Sequence, residues 1–317
     1  MSWFDDWALT LAVFIPLVGM AIVMLMPRAE EQAVKVVALL TSLVTLAVGV
    51  GLLARIDYGK TSTLQFQVNK SWIDLIHSRY HLGIDGISLP LLILTMAIVP
   101  LCIIYSWNHF PEPHNPKAFL ALILLLEVGM IGTFVALDLV LFFIFFEVVL
   151  LPMFFMIGVW GGPNREYASI KFFLFTLFGS ALMLVSFLAI FFLSKQQTFD
   201  MTTLSHLGGL GIARGTQILL FGGLFLGFAI KVPMFPFHTW LPDAHTEAPT
   251  VGSVILAAVL LKLGTFGFVR IALPILPEGA HTWAPWIGLL AAIGIIYGAL
   301  ACLAQTDMKR QIGRAHV

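Results

Sequence analysis

Four ionisable side chains stand inside apolar runs that would otherwise carry no charge. Glu127 is central in FLALILLLEVGMIGTFVAL (119–137), and Glu147 is central in LFFIFFEVVLLPMFF (141–155). Lys231 closes ILLFGGLFLGFAI (218–230) and opens KVPMFPFHTWLPDAH (231–245), and Lys262 lies within VGSVILAAVLLKLGTFGFVR (251–270). Two acids and two bases can hold and pass protons. At the centre of a bilayer each would cost about 2.5–3.5 kcal/mol, so each must face a bundle interior or a wet cavity and find a partner.

Each of the four has a plainer reading beside the chemical one. Glu147 is either a titratable member of an ion pathway or half of a structural ion pair. Pro152, five residues on, removes a helical N–H and frees the carbonyl of Val148 beside the carboxylate. Lys231 meets Pro233 and Pro236, which cannot continue a regular helix. A helix broken at membrane depth is tolerated only where it is buried or lines a cavity, and such breaks frame ion sites in transporters. The plainer reading of Lys231 is a snorkelling end residue. Lys262 is too deep to snorkel easily, since about eight residues, or ~12 Å of helix, follow it within the span, and its plainer reading is a structural counter-charge. Gly264 and Gly267 beside it admit a close neighbouring helix. Glu127 either pairs with a lysine, lies beside Glu147, or braces helices. Asp138, between two runs, reads as an interfacial residue or a helix cap.

The Pro-broken segment also carries His238 and His245, with Asp243 and Glu247. These histidines are candidates for a proton relay. Two histidines seven apart without a nearby Cys make a poor metal site. His77, His81, His109, His114, His206 and His281 read as solvated loop groups. No phosphate-binding loop, dinucleotide fingerprint, HExxH or nucleophile elbow is present. No cofactor and no metal is therefore expected on this chain.

The elements that must position these groups are membrane spans. Of 317 residues 59% are hydrophobic and 11% charged, mean hydropathy is +0.97, and 17 basic residues balance 17 acidic ones. A soluble surface needs roughly 25% charge, so a soluble enzyme and a disordered chain are excluded. A nucleic-acid binder is excluded too, because no basic excess exists to neutralise phosphates. Cys102 and Cys302 lie 200 residues apart, too few for an iron–sulfur cluster. Nine runs are long and apolar enough to span: about 8–26, 34–54, 87–106, 118–136, 139–160, 168–193, 217–237, 250–272 and 284–304. The expected fold is an all-α polytopic membrane helix bundle of about nine spans, in which the seventh is broken. Alternation in Thr61–Val68 predicts an extramembrane hairpin within 55–86. Residues 194–216, rich in Gly and Thr, predict a short interfacial turn. Basic residues between spans divide seven against seven, so they leave the orientation undecided; only the first span favours an outside N-terminus.

The runs 141–161, 231–270 and AQTDMKRQI (304–312) together resemble the antiporter-like subunits of respiratory complex I, the proton-translocating NADH:quinone oxidoreductase. LGIDGISLPLLILT (82–95) most resembles the chain M, or chain 4, branch. The likeness runs from about residue 80 to 312. It implies about fourteen spans built on two inverted five-helix repeats. On that plan 1–117 hold three N-terminal spans, 118–272 the first repeat, and 284–311 the start of the second. The resemblance also implies that Glu147 pairs with Lys231 and that Lys262 passes protons toward the middle of the membrane. NADH, FMN, iron–sulfur clusters and quinone would be bound by partner subunits. The partners implied are other membrane subunits, notably chains L and N, in a bacterial plasma membrane or an equivalent energy-transducing membrane. Multisubunit Na+/H+ antiporters and membrane-bound hydrogenases share the 231–270 block and form the alternative family reading. A membrane scaffold with merely structural ion pairs is the alternative of another class. Where the resemblance would continue apolar, residues 312–317 read IGRAHV, a string that the codons of a common sequencing adapter would encode. We read 312–317 as a non-native tail of a truncated chain, so Arg314 and His316 carry no argument.

Overall fold

A computed structural model describes residues 3–306 and 308–315; His316 and Val317 of the expected tail lie outside the described residues. Twelve helices and one hairpin are formed among them. Helix α1 spans Trp3–Leu25 and α2 Glu31–Arg55. Strands β1 (Gln65–Ile73) and β2 (Ser78–Ile84) follow, then α3 (Ser88–Ser106) and α4 (Pro116–Val135). Helix α5 covers Leu139–Trp160 and α6 Arg165–Leu193. A short α7 (Met201–Leu207) precedes α8 (Arg214–Lys231) and α9 (Trp240–Glu247). Helices α10 (Thr250–Ile275), α11 (Pro277–Leu303) and α12 (Met308–Ala315) complete the chain.

Eight of these helices are long and apolar enough to cross a membrane among the described residues. They match the expected spans except the seventh. There α8 stops at Lys231, before the two prolines, and carries Arg214, Gln217 and Lys231 at its ends. The span read across 217–237 is thus a shorter, interrupted helix. The segment 194–216 holds a true helical turn, α7, closed by Gly208 in the left-handed conformation.

Helix starts follow capping chemistry. Asn115 accepts from the Ala118 N–H with Pro116 at the first helical position of α4. Asp138 caps α5 by accepting from the Val140 and Leu141 N–H groups at 3.0 and 3.2 Å. Asp200 caps α7 through the Thr203 N–H at 2.9 Å.

Helix α4 is apolar on all faces, and a helix of that kind belongs at the centre. It contacts α1, α2, α3, α5 and α10. Gly129 and Gly132 bring it onto the backbone and ring of Phe145 in α5. Helix α8 lies between α6, α10 and α11. On one side Gly179 of α6 meets Gly227 of α8; on the other, Gly264 and Gly267 of α10 meet Val232 and Phe228. Small residues at both crossings let backbones approach, as membrane helices require.

The hairpin pairs Val68 with Leu82 and Asn69 with His81 in antiparallel register. It is tied to the bundle by a polar knot. Ser78 Oγ and the Arg79 N–H donate to Asp138 at 2.9 Å each, and His81 Nδ1 lies 2.6 Å from Asp200. His81 is 2% exposed, which corrects its reading as a solvated loop group. Its position on the inward face of β2, opposite the α6–α7 loop, buries it. The other five histidines of that set are exposed, although His206 and His281 are on helices.

Candidate functional site

The end of α8 brings Lys231 near Glu147. In a helix terminus the last carbonyls need partners. Here Phe228 O accepts from the Val232 N–H at 2.8 Å, Ala229 O from the Met234 N–H at 2.9 Å, and Ile230 O from Trp240 Nε1 at 2.9 Å. Trp240 is 1% exposed and packs on Phe172 of α6. The break is therefore a built feature with its backbone satisfied, and Lys231 is its last helical residue.

Lys231 is 3% exposed. Its ammonium stands over the ring of Phe146, 4.8 Å from the centroid. Phe146 and Phe142 lie edge to face against Phe228 at 6.3 Å, so α5 and α8 meet through an aromatic layer. Glu147, next to Phe146, interacts electrostatically with Lys231 and lies near Ser180 of α6. The two charges face each other without closing an ion pair within 4.0 Å. The α5 helix is interrupted at Val149, two residues after Glu147 and three before Pro152, the kink expected beside the carboxylate.

Lys262 lies on the regular stretch of α10 between two π-helical turns, Leu256–Leu260 and Phe268–Ala272. In the first, the Leu261 N–H reaches back to Leu256 O, and the ammonium of Lys262 donates to Ala257 O instead. Single π turns recur at functional sites because they release carbonyls. Gly264, two residues on in α10, presses against Val232 at the break.

Glu127 is fully buried in α4, and neither carboxyl oxygen has a protein hydrogen-bond partner among the described residues. Among the described residues no lysine pairs with it. His238 lies between α8 and α9, stacked on Phe235 and edge-on to Tyr297. It lines a cavity of about 220 Å³ with Lys171, Asp243 and Tyr297, in which Lys171 Nζ and Asp243 Oδ2 pair at 2.7 Å. His245 is buried in α9, where its carbonyl accepts from Ser253 Oγ. Glu247 accepts from the Asn164 N–H at 3.0 Å and so ties α9 to the start of α6. Among the described residues no group of three or more His, Cys, Asp or Glu could hold a metal.

Sequence reasoning missed Ser180 and Phe146, which touch the charged pair. Neither residue type signals chemistry within an apolar helix. It also missed the Asp85–Arg270 pair, closed at 2.7 Å. Asp85 followed three residues later by Ser88 is a capping pattern that could have located it.

The transmembrane domain described as NADH:quinone oxidoreductase/Mrp antiporter matches residues 136–315. This chain belongs to that family. The amino-terminal domain described for NADH-ubiquinone oxidoreductase chain 4 matches residues 60–133. NADH-quinone oxidoreductase subunit M of Rhodobacter capsulatus is 44% identical over 98% of this chain and 62% of its own length. NADH-ubiquinone oxidoreductase chain 4 of Chondrus crispus is 42% identical, over 98% of this chain and 61% of its own. The chain thus spans less than two thirds of the relatives it matches. A chain of respiratory complex I from Thermus thermophilus superposes with a TM-score of 0.84 at 29% identity, over 97% of this chain and 62% of that one. A chain of the archaeal membrane-bound sulfane sulfur reductase superposes equally well, at 0.84, but at 19% identity that likeness concerns the fold. The NADH:quinone oxidoreductase/Mrp antiporter fold is accordingly that of an integral, multi-pass helix bundle, with α8 as its interrupted helix.

Proposed function

We propose that this chain moves protons across a membrane as the subunit M, or chain 4, component of an NADH:quinone oxidoreductase. The observation that carries this reading is the buried Lys231 at the α8 break, facing Glu147 across an aromatic layer without a closed ion pair. A pair held near, but not in, contact can be tightened or separated by small helix movements. When it separates, Lys231 loses its counter-charge and its proton passes toward Lys262; when it closes, the ammonium is held. Glu127, His238 and His245 extend the relay to either side.

On this reading residues 118–272 form the first antiporter-like repeat and chains L and N are the neighbours. The membrane is a bacterial plasma membrane or its equivalent. NADH, FMN, iron–sulfur clusters and quinone are held by partner subunits. The donor set of the described residues fits no iron–sulfur cluster, since Cys102 and Cys302 lie on different helices. Its relatives are named as NADH-quinone oxidoreductase subunits, which favours this reading over a subunit of a multisubunit Na+/H+ antiporter or of a membrane-bound hydrogenase.

The test is Glu147→Gln in the assembled complex, reconstituted in vesicles. Protons translocated per NADH should collapse while much of the NADH dehydrogenase activity remains. An unchanged proton ratio would overturn the proposal. A scaffold would also tolerate the neutral double variant Glu147→Gln with Lys231→Met; a proton path would not.

A further inference from the structure

Lys262 can receive a proton only if α10 holds it at one height and one rotation, and α10 is not a uniform helix. Each π turn inserts an extra residue. Everything beyond it is turned by roughly 100° relative to a regular helix. Lys262 lies between two such turns, so its direction depends on both being fixed.

The first π turn is fixed by packing, since Leu256–Leu260 lies against α3. The second contains Arg270, which reaches the start of the same helix. Its Nη2 lies 2.7 Å from Asp85 Oδ2, with side chains only 17% and 10% exposed. Asp85 is itself held. Its Oδ1 accepts from the Ile87 and Ser88 N–H groups at 3.1 and 3.0 Å, and its own N–H donates to Ser88 Oγ at 2.9 Å. The neighbouring Gly86 N–H donates to Thr61 O at 2.8 Å, where a Cβ would press on Thr61 at 3.0 Å. One carboxylate oxygen caps α3 and the other is left for Arg270. The guanidinium also stands 5.4 Å from the centroid of Phe266, whose ring packs edge-on against Phe134 of the central α4.

We propose that Asp85 and Arg270 are positioning residues for proton transfer: the pair clamps the second π turn of α10 to the capped start of α3 and thereby sets the height and rotation of Lys262. With the first turn packed on α3 and the second clamped to its cap, the stretch Leu261–Gly267 is gripped at both ends. Opening the pair loosens the second turn and with it the C-terminal hold on the stretch that carries Lys262. This inference rests on the proton path proposed above.

The experiment uses the whole complex in vesicles and reads protons per NADH together with the amount of assembled complex. Asp85→Asn and Arg270→Gln should each lower protons per NADH about threefold in complex that has assembled. The charge-swapped double variant, Asp85→Arg with Arg270→Asp, remakes the ion pair but not the cap of α3, so it should restore only part of the ratio. Arg270→Lys keeps the charge and loses the planar fork; it should fall between. A brace with no part in positioning would change the amount of complex and leave the ratio alone. A wild-type ratio in Arg270→Lys and in whichever neutral variant assembles would overturn the proposal. Glu147→Gln run in parallel separates the failures: if it too leaves the ratio unchanged, the proton path is wrong; if it alone lowers the ratio, only the clamp is wrong.

Discussion

Lys231 and Phe146 are stacked as cation over ring, 4.8 Å from nitrogen to centroid, and Phe146 is the residue beside Glu147. The lysine thus has two holds on α5, a neutral one and a charged one.

Phe146→Leu should separate these holds. Leucine fills much of the space and keeps the apolar layer on Phe228 but offers no π face. A desolvated cation–π contact is worth about 0.5–2 kcal/mol. Protons per NADH should fall by a few fold while Glu147 and Lys231 remain. If the rate of proton translocation is unchanged in Phe146→Leu, the ring is only filler.

The α6–α8 crossing sets the place of that pair and tolerates no side chain. A Cβ at Gly227 would lie 2.8 Å from Met183 Cβ and 2.9 Å from Gly179 O. Gly227→Val should lower the stability of the isolated chain by about 1–3 kcal/mol, the usual price of overpacking. Gly288→Val on α11, where a Cβ meets nothing within 4 Å, is the control. Thermal unfolding in detergent reads both; equal melting temperatures would refute the close crossing.

The knot under the hairpin should show in the acid limb of stability. Burial alone would raise the Asp200 carboxyl, but hydrogen bonds from His81, Thr202 and Thr203 outweigh it and hold the group well below the usual carboxylate range. The sign follows from linkage: the unfolded chain binds the proton first as pH falls. The contribution is therefore full above about pH 4 and is lost as pH drops from there toward the lower folded value. Asp200→Asn should flatten that limb and lower stability at neutral pH, by about 3 kcal/mol if the buried pair is broken outright. Melting temperature against pH, wild type beside variant, is the measurement.

Much of this was legible in the residues. Spans announce themselves because about 20 apolar residues in a row have no other use, and Glu147, Lys231 and Lys262 stand out because charges there are rare. The break at Lys231 was legible from Pro233 and Pro236. Contacts across the chain were not. His81 and Asp200 are 119 residues apart, and Asp85 and Arg270 are farther apart still; each looks like an ordinary loop or end charge until the fold brings its partner. The first π turn of α10 carries no Gly or Pro signature, and only the second, between Gly267 and Pro274, has one.

Glu127 allows the sharpest division between bracing and chemistry. A structural acid earns its place through partners, and this one is fully buried in α4 with no protein hydrogen bond to either oxygen among the described residues. Leaving such a group unsatisfied costs about 1–3 kcal/mol, so an apolar residue of similar volume should be at least as stable. Glu127→Leu is therefore expected to keep or raise the melting temperature in detergent. If the carboxyl carries protons, Glu127→Gln should leave stability alone and still lower protons per NADH in the assembled complex, since an amide fits the same space but takes up no proton. A bracing residue would behave in the opposite way, losing stability in the leucine variant and keeping its proton ratio in the glutamine variant.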